Sequence, residues 1–239
     1  MSGRLTSLIE PWGRVEATDQ WMPDGFTDVT EARLDTADRL IPDKGVRDDL
    51  LNWWLAVPAY ANTPNWDIAS TCTIGGRKGL LLVEAKAHDM ELIMAMAGKS
   101  TEADGDNSHR NHSQIGNCIK DASMALSSAT GASWTLSRDR NYQMSNRFAW
   151  CWKLTELGIS VILVYLGFLR AEEMRTSGTK PQTPLANSDH WAALVKDHSS
   201  SLFPIEIWNK ELKLGGQSFI PLIRTAHQPL TTDLDTEIV

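Results

Sequence analysis

Residues 80–86, Leu-Leu-Leu-Val-Glu-Ala-Lys, constrain this chain more than any other stretch. Four apolar residues leave the turn signal Gly75-Gly76-Arg77-Lys78-Gly79, which predicts a buried strand. Side chains two apart on a strand share a face, so Glu84 and Lys86 project together from its end. Charges at the end of an apolar strand are not a solvated face, and buried charges need partners or a metal. Upstream, Trp66, Ile68, Ser70, Cys72 and Ile74 alternate with Asp67, Ala69, Thr71 and Thr73, the period of a strand. The two segments predict a hairpin. Symmetric pairing about residues 76–77 puts Asp67 opposite about residue 86. Two carboxylates and one ammonium then meet at one end of the hairpin.

That set suits phosphodiester hydrolysis. Two carboxylates, with the backbone carbonyl of Ala85, are hard oxygen ligands of the kind Mg²⁺ or Mn²⁺ prefers. Such an ion polarises a phosphate and lowers the pKa of a bound water. A lysine there orients or deprotonates that water, or stabilises the charged transition state.

Asn65-Trp66-Asp67, a hairpin, then Val83-Glu84-Ala85-Lys86 resembles the PD-(D/E)XK superfamily of restriction-endonuclease-like nucleases. The gap between the Asp and the Glu is 16 residues. Position 66 holds Trp where the nominal motif has Pro. The resemblance implies Asp67 and Glu84 as metal ligands, Lys86 as the catalytic lysine, and Mg²⁺, with Mn²⁺ as substitute, as the cofactor. It implies nucleic acid as the partner, DNA rather than RNA, and a homodimer in the manner of restriction enzymes. The fold it implies is α/β (α+β), a mixed sheet flanked by helices in αβββαβ order. It also suggests a further acid from an early helix. Asp49 flanks an apolar helix face and is the first choice, ahead of Glu31; a solvated helix charge is the alternative for both.

Other residues are candidates for contact with substrate. Gln114 opens the helix after a polar loop and reads as a contact to the scissile phosphate or the water, or as a plain helix-terminus residue. His88 shares the strand face of Glu84 and Lys86, one step further on, and reads as a DNA contact or as a rim residue. Arg110 and His112 belong to a polar cluster with His109 and Asn111, read as a substrate-contacting loop or a plain solvated one. The alternatives to a nuclease are a non-catalytic protein of the same fold that binds nucleic acid or a protein partner, and an unrelated α+β protein.

The rest of the chain sets the frame. Residues 1–25 read as an irregular arm pinned by Trp12 and Trp21, residues 26–175 as the nuclease-like core, and residues 176–239 as a C-terminal extension. Within the core, helices are expected at 30–40, 45–57, 89–97, 113–129 and 141–158, with an exposed loop at 98–112. The apolar run 159–169 predicts a buried strand; its 11 residues are too few to span a bilayer, which takes about 20. Further on come a Pro- and Thr-rich connection at 176–188, a helix at 189–197, strands at 203–208 and 218–224, and a loose acidic tail. The ten tryptophans belong mostly to the core, Trp53, Trp54, Trp150 and Trp152 above all. The net charge of −7 weighs against binding of DNA by bulk charge alone. Cys72, Cys118 and Cys151 form no CxxC pair, so they read as reduced thiols of a cytoplasmic protein without a zinc ribbon or a disulfide framework. No secretory signal, phosphate-binding loop, GxSxG elbow or HExxH motif is present.

Overall fold

Gly75 and Gly76 have φ of +54° and +79°, a pair of left-handed residues that glycine adopts without strain. They form a two-residue turn of the kind whose twist matches that of the flanking strands. The computed structural model describes residues 1–25, 28–99, 105–172 and 182–227. In chain order its elements are α1 (Ser2–Ile9), β1 (Gly13–Arg14), β2 (Trp21–Met22), β3 (Ala32–Arg33), α2 (Lys44–Trp54), β4 (Asn65–Trp66), β5 (Ile68–Ile74) and β6 (Arg77–Lys86). There follow α3 (Asp89–Met94), α4 (Asp106–Thr130), α5 (Tyr142–Glu156), β7 (Ser160–Phe168), α6 (Ser188–Ser199), β8 (Leu212–Leu214) and β9 (Gln217–Ala226).

The predicted hairpin is β5–β6, paired from Ile74↔Arg77 beside the turn out to Ile68↔Val83. The turn is shorter than the glycine-rich run suggests. Gly79 lies inside β6, where an added Cβ would sit 2.6 Å from the Ser160 carbonyl oxygen of the next strand. The register therefore shifts by two residues: Asp67, just beyond the Ile68–Val83 pair, comes beside Glu84 rather than opposite residue 86.

The main sheet has seven strands in the order β1-β5-β6-β7-β9-β8, with β2 also on β5. β6, β7 and β9 are parallel neighbours, while β5 and β8 run antiparallel to them. This is the expected mixed sheet flanked by helices. β7 is the run 159–169 of the sequence, and its residues 160–167 are all buried, as befits an interior parallel strand. β9, from the 176–239 region, pairs with β7 from Val161↔Phe219 to Phe168↔Ala226.

The period of two sorts the sheet into two faces. Leu81, Val83, Ile162, Val164 and Leu222 pack with Leu5 and Ile9 of α1. Leu80, Leu82, Leu163, Tyr165 and Phe219 pack with residues of α2, α4, α5 and α6, including Trp54, Trp150 and Trp191. Trp53, Trp54, Trp150 and Trp152 form one aromatic cluster there, with centroids 5.3–6.3 Å apart. Glu84 and Lys86 are in phase with Leu80 and Leu82 and so lie on the helical side.

Four expectations need correction. The N-terminal arm is partly regular: α1 covers one face of the sheet, and β1 and β2 pair with the outer edge of β5. No helix forms at 30–40. Ala32 and Arg33 pair with Asn65 and Trp66, and residues 34–41 follow in successive turns that bury Leu34, Ala37, Leu40 and Ile41. The Asp28 side chain accepts from the Thr30 amide, one of the local bonds by which such residues compete with helix. α4 begins at Asp106 rather than at 113, so the polar segment 106–112 forms its first turns. Residues 203–208 contain a short 3₁₀ turn, not a strand. Part of the connection at 176–188, part of the loop at 98–112 and the acidic tail lie outside the described residues. No helix among the described residues is long and apolar enough to cross a membrane.

β7 and α6 meet closely at Gly167, where an added Cβ would lie 2.7 Å from the Trp191 ring. Gly167→Ala should destabilise the protein by about 1–3 kcal/mol through overpacking, read as a lower urea midpoint with unchanged m-value.

Candidate functional site: an acid pair with two cations

Glu84 is 1% exposed and lies near the C-terminal end of β6. Its Oε1 accepts from Lys86 Nζ, two residues on along the same strand face. Its Oε2 is 2.7 Å from both Nε and Nη2 of Arg147 on α5. Burial opposes ionisation of Glu84, but the charges of Arg147 and Lys86 outweigh it and hold the carboxyl below its usual range. Arg147 is fixed in turn. Its Nη2 donates to the Asn65 carbonyl at 2.7 Å, and its guanidinium lies over the Trp66 ring, 4.5 Å from the centroid.

Asp67 follows Trp66 and is half-buried. Its Oδ2 accepts from the Ala85 amide at 2.7 Å, so the hairpin end is closed by a side chain rather than by a further ladder bond. Oδ1 accepts no hydrogen bond among the described residues. Burial, then the negative charge of Glu84, raises the pKa of Asp67, against the Ala85 bond and the charges of Lys86 and Arg147. The structure thus brings Asp67, Glu84 and Lys86 together.

The remaining candidates sit elsewhere or act locally. Asp49 is exposed on α2, and Glu31 is exposed just before β3; neither belongs to the charges that act on Asp67. Gln114 lies within α4 rather than at its start. Its Nε2 donates to the Trp53 carbonyl at 2.8 Å, serving an end of α2 that has no helical partner. Arg110 is exposed on α4. His112 is half-buried, its carbonyl accepts from Arg138, and burial lowers its pKa. Asn111 clamps the Val57 backbone by both amide atoms, at 2.7 and 2.9 Å. His88 stays close to the site: it caps α3, is 5% exposed, and its Nδ1 has no hydrogen-bond partner.

Sequence reasoning missed Arg147 and Tyr165. Residues 144–151 of α5 are all buried, and Arg147 stands among them in Met-Ser-Asn-Arg-Phe-Ala-Trp-Cys-Trp. A lone cation in such a run was a readable signal, since it must find a buried partner. Which acid it meets, 63 residues away, was not readable.

A cavity of about 490 Å³ opens at this end of β6, lined by Lys86, His88, Glu91, Met94, Tyr142 and Gln143 among others. Lys86 is the member of the cluster among the lining residues. Among the described residues, no three of His, Cys, Asp and Glu converge so as to hold a metal ion. The acid pair itself fits a divalent cation in one respect: an unbonded hard oxygen on Asp67 lies where Glu84 makes further negative charge unfavourable. No protein-family model matches the chain, and neither a curated protein nor a solved structure does.

Two stability outcomes follow. Glu84→Gln should cost about 3–5 kcal/mol, because two buried cations lose their counter-charge; chemical denaturation measures it. Asp67 has a raised pKa, so its contribution favours folding below the ordinary carboxylate pKa and is lost as pH rises through the folded value. Asp67→Asn should therefore raise Tm at pH 7, with the gain shrinking as the pH falls into the carboxylate range.

Proposed function

We propose that this protein is a metal-dependent phosphodiester hydrolase acting on nucleic acid, most readily DNA, with a restriction-endonuclease-like core. The observation that carries the reading is the meeting of Asp67, Glu84 and Lys86 at one end of the β5–β6 hairpin, beneath a cavity that Lys86 lines. Along the chain, α2, β4, β5, β6, a helical layer and β7 follow the αβββαβ order the motif implies. The departure is that β4 pairs with β3 outside the main sheet.

Asp67 Oδ1 and a Glu84 oxygen, with the Ala85 carbonyl, are the groups that would hold Mg²⁺. When bound, the ion would polarise the phosphoryl group and acidify a water. Arg147 keeps Glu84 ionised and fixes its plane, so one oxygen stays oriented whatever Lys86 does. Lys86 reaches both Glu84 and the cavity, so its ammonium can leave the carboxylate for a phosphate oxygen or the attacking water. His88 and Gln143 line the same wall, and on this reading they would contact the substrate.

A second reading, a non-catalytic member of the same fold that binds nucleic acid or a protein, is favoured by one observation. Both oxygens of Glu84 already hold a cationic partner. Glu84 substitutions also unbalance the fold, so Asp67 and Lys86 separate the two readings more cleanly. Wild type should nick supercoiled plasmid in Mn²⁺ and not in EDTA. Asp67→Asn and Lys86→Met should each lower the rate by 100-fold or more while remaining folded by circular dichroism, in line with the loss of a charge-stabilising group. Metal-independent or absent cleavage by the wild type on plasmid, single-stranded DNA and RNA would remove the catalytic reading.

A further inference from the structure

Tyr165 stands in β7 directly beside Glu84 of β6 in the parallel ladder, on the same face of the sheet. It is 1% exposed, and its hydroxyl has no hydrogen-bond partner among the described residues. A buried hydroxyl without a partner costs free energy that phenylalanine at the same place would avoid. The ring packs against Trp208, 5.4 Å away at 76°, and the Tyr165 backbone carbonyl accepts from the Trp191 indole, so the residue is fixed in the sheet. The charges acting on the hydroxyl are those of Glu84, Arg147, Cys151 and Asp67, and three of these groups form the acid pair and its clamp. Burial first, then Glu84, raises its pKa well above the ordinary value, so it is a neutral O–H able to donate and to accept.

Two more orphaned atoms border the cluster. His88 Nδ1 lies on the cavity wall, and Nε2 of His198, a residue that feels the charge of Lys86, is also unpartnered. A buried polar atom without a protein partner is a place where a water or a small polar ligand completes the hydrogen bonding.

We propose that the Tyr165 hydroxyl is a further ligand-facing group of the Asp67–Glu84 site, hydrogen-bonded to a water that the acid pair holds. The inference rests on the reading of that pair as a divalent-cation site. It adds that the inner wall is polar by one hydroxyl, which orients a water ligand of the ion instead of binding the ion itself. Groups in that position tune affinity by about 10–100-fold.

The test uses the full chain, Mn²⁺ as MnCl₂, and three proteins: wild type, Tyr165→Phe and Asp67→Asn. Thermal unfolding and titration calorimetry are read without substrate. Tyr165→Phe should show a metal-free Tm equal to or above that of wild type, because the hydroxyl it deletes makes no protein bond. It should also bind Mn²⁺ about ten-fold or more weakly than wild type. Equal Mn²⁺ affinity in wild type and Tyr165→Phe, with weaker binding by Asp67→Asn, overturns the role of Tyr165 and leaves the acid pair standing. A metal-free Tm several degrees lower in Tyr165→Phe overturns the premise that the hydroxyl is unpartnered. If wild type and Asp67→Asn both fail to bind Mn²⁺, the cation site fails and the role of Tyr165 with it.

Discussion

The carboxylate of Glu84, held between Lys86 and Arg147, is the interaction on which the arrangement of this protein depends. A single carboxylate taken out of water at this depth is very unfavourable, and it would bind a proton unless cations met it. Lys86 meets it because a strand returns to the same face every second residue. Arg147 meets it because α5 crosses that face of the sheet. The guanidinium then reaches on to the Asn65 carbonyl and the Trp66 ring. One side chain thereby ties β6, α5 and the chain entering β5 to a single point. The position of Asp67 follows, since it comes next after the residue Arg147 covers.

Two acids and two cations give a cluster that is neutral in total and uneven in detail. Both oxygens of Glu84 are occupied, whereas Asp67 has one oxygen bonded to the Ala85 amide and the other without a bond among the described residues. The two acids are therefore pushed in opposite directions, Glu84 toward ionisation and Asp67 toward protonation. Pairs of titratable groups with opposed shifts mark sites where charge is meant to change, although ion-pair networks built only for structure produce shifts as well. The free oxygen of Asp67 and the bare hydroxyl of Tyr165 distinguish this cluster from a closed network, in which every polar atom would be matched.

The parts of this fold set by local pattern were legible. Alternation marked β5, an apolar run marked β7, and helical spacing marked α2 and α5. The hairpin was legible but its register was not: Gly79 reads as turn in the sequence, yet it serves the close approach of β6 to β7. The segment 34–41 has helix-like spacing of Leu34, Ala37, Leu40 and Ile41, but consecutive turns bury the same residues. The polar start of α4 looked like loop because its exposed turns carry no apolar stripe. β1 and β2, two residues each, exist only because the edge of β5 offers unpaired backbone groups. Asp67, Glu84 and Lys86 were legible because they lie close in sequence and share a hairpin. Arg147 and Tyr165 were not, because their nearness to Glu84 is created by helix packing and by a parallel crossover.

That crossover also accounts for where the cluster sits. β6, β7 and β9 are parallel neighbours, so their carboxyl ends come out on one side of the sheet, at Lys86, Gly167 and Thr225. In open α/β sheets this is the side where chain connections part and leave crevices. Here the cavity lined by Lys86 and His88 lies at that end. A buried ion pair is weak evidence for stability, because well-packed apolar residues in its place are often neutral or stabilising. Four charged side chains, an unpaired hydroxyl and an opening at the carboxyl ends of parallel strands occur together at one place in the fold. A ligand for this opening is the reading proposed above, and it joins the three features in one account.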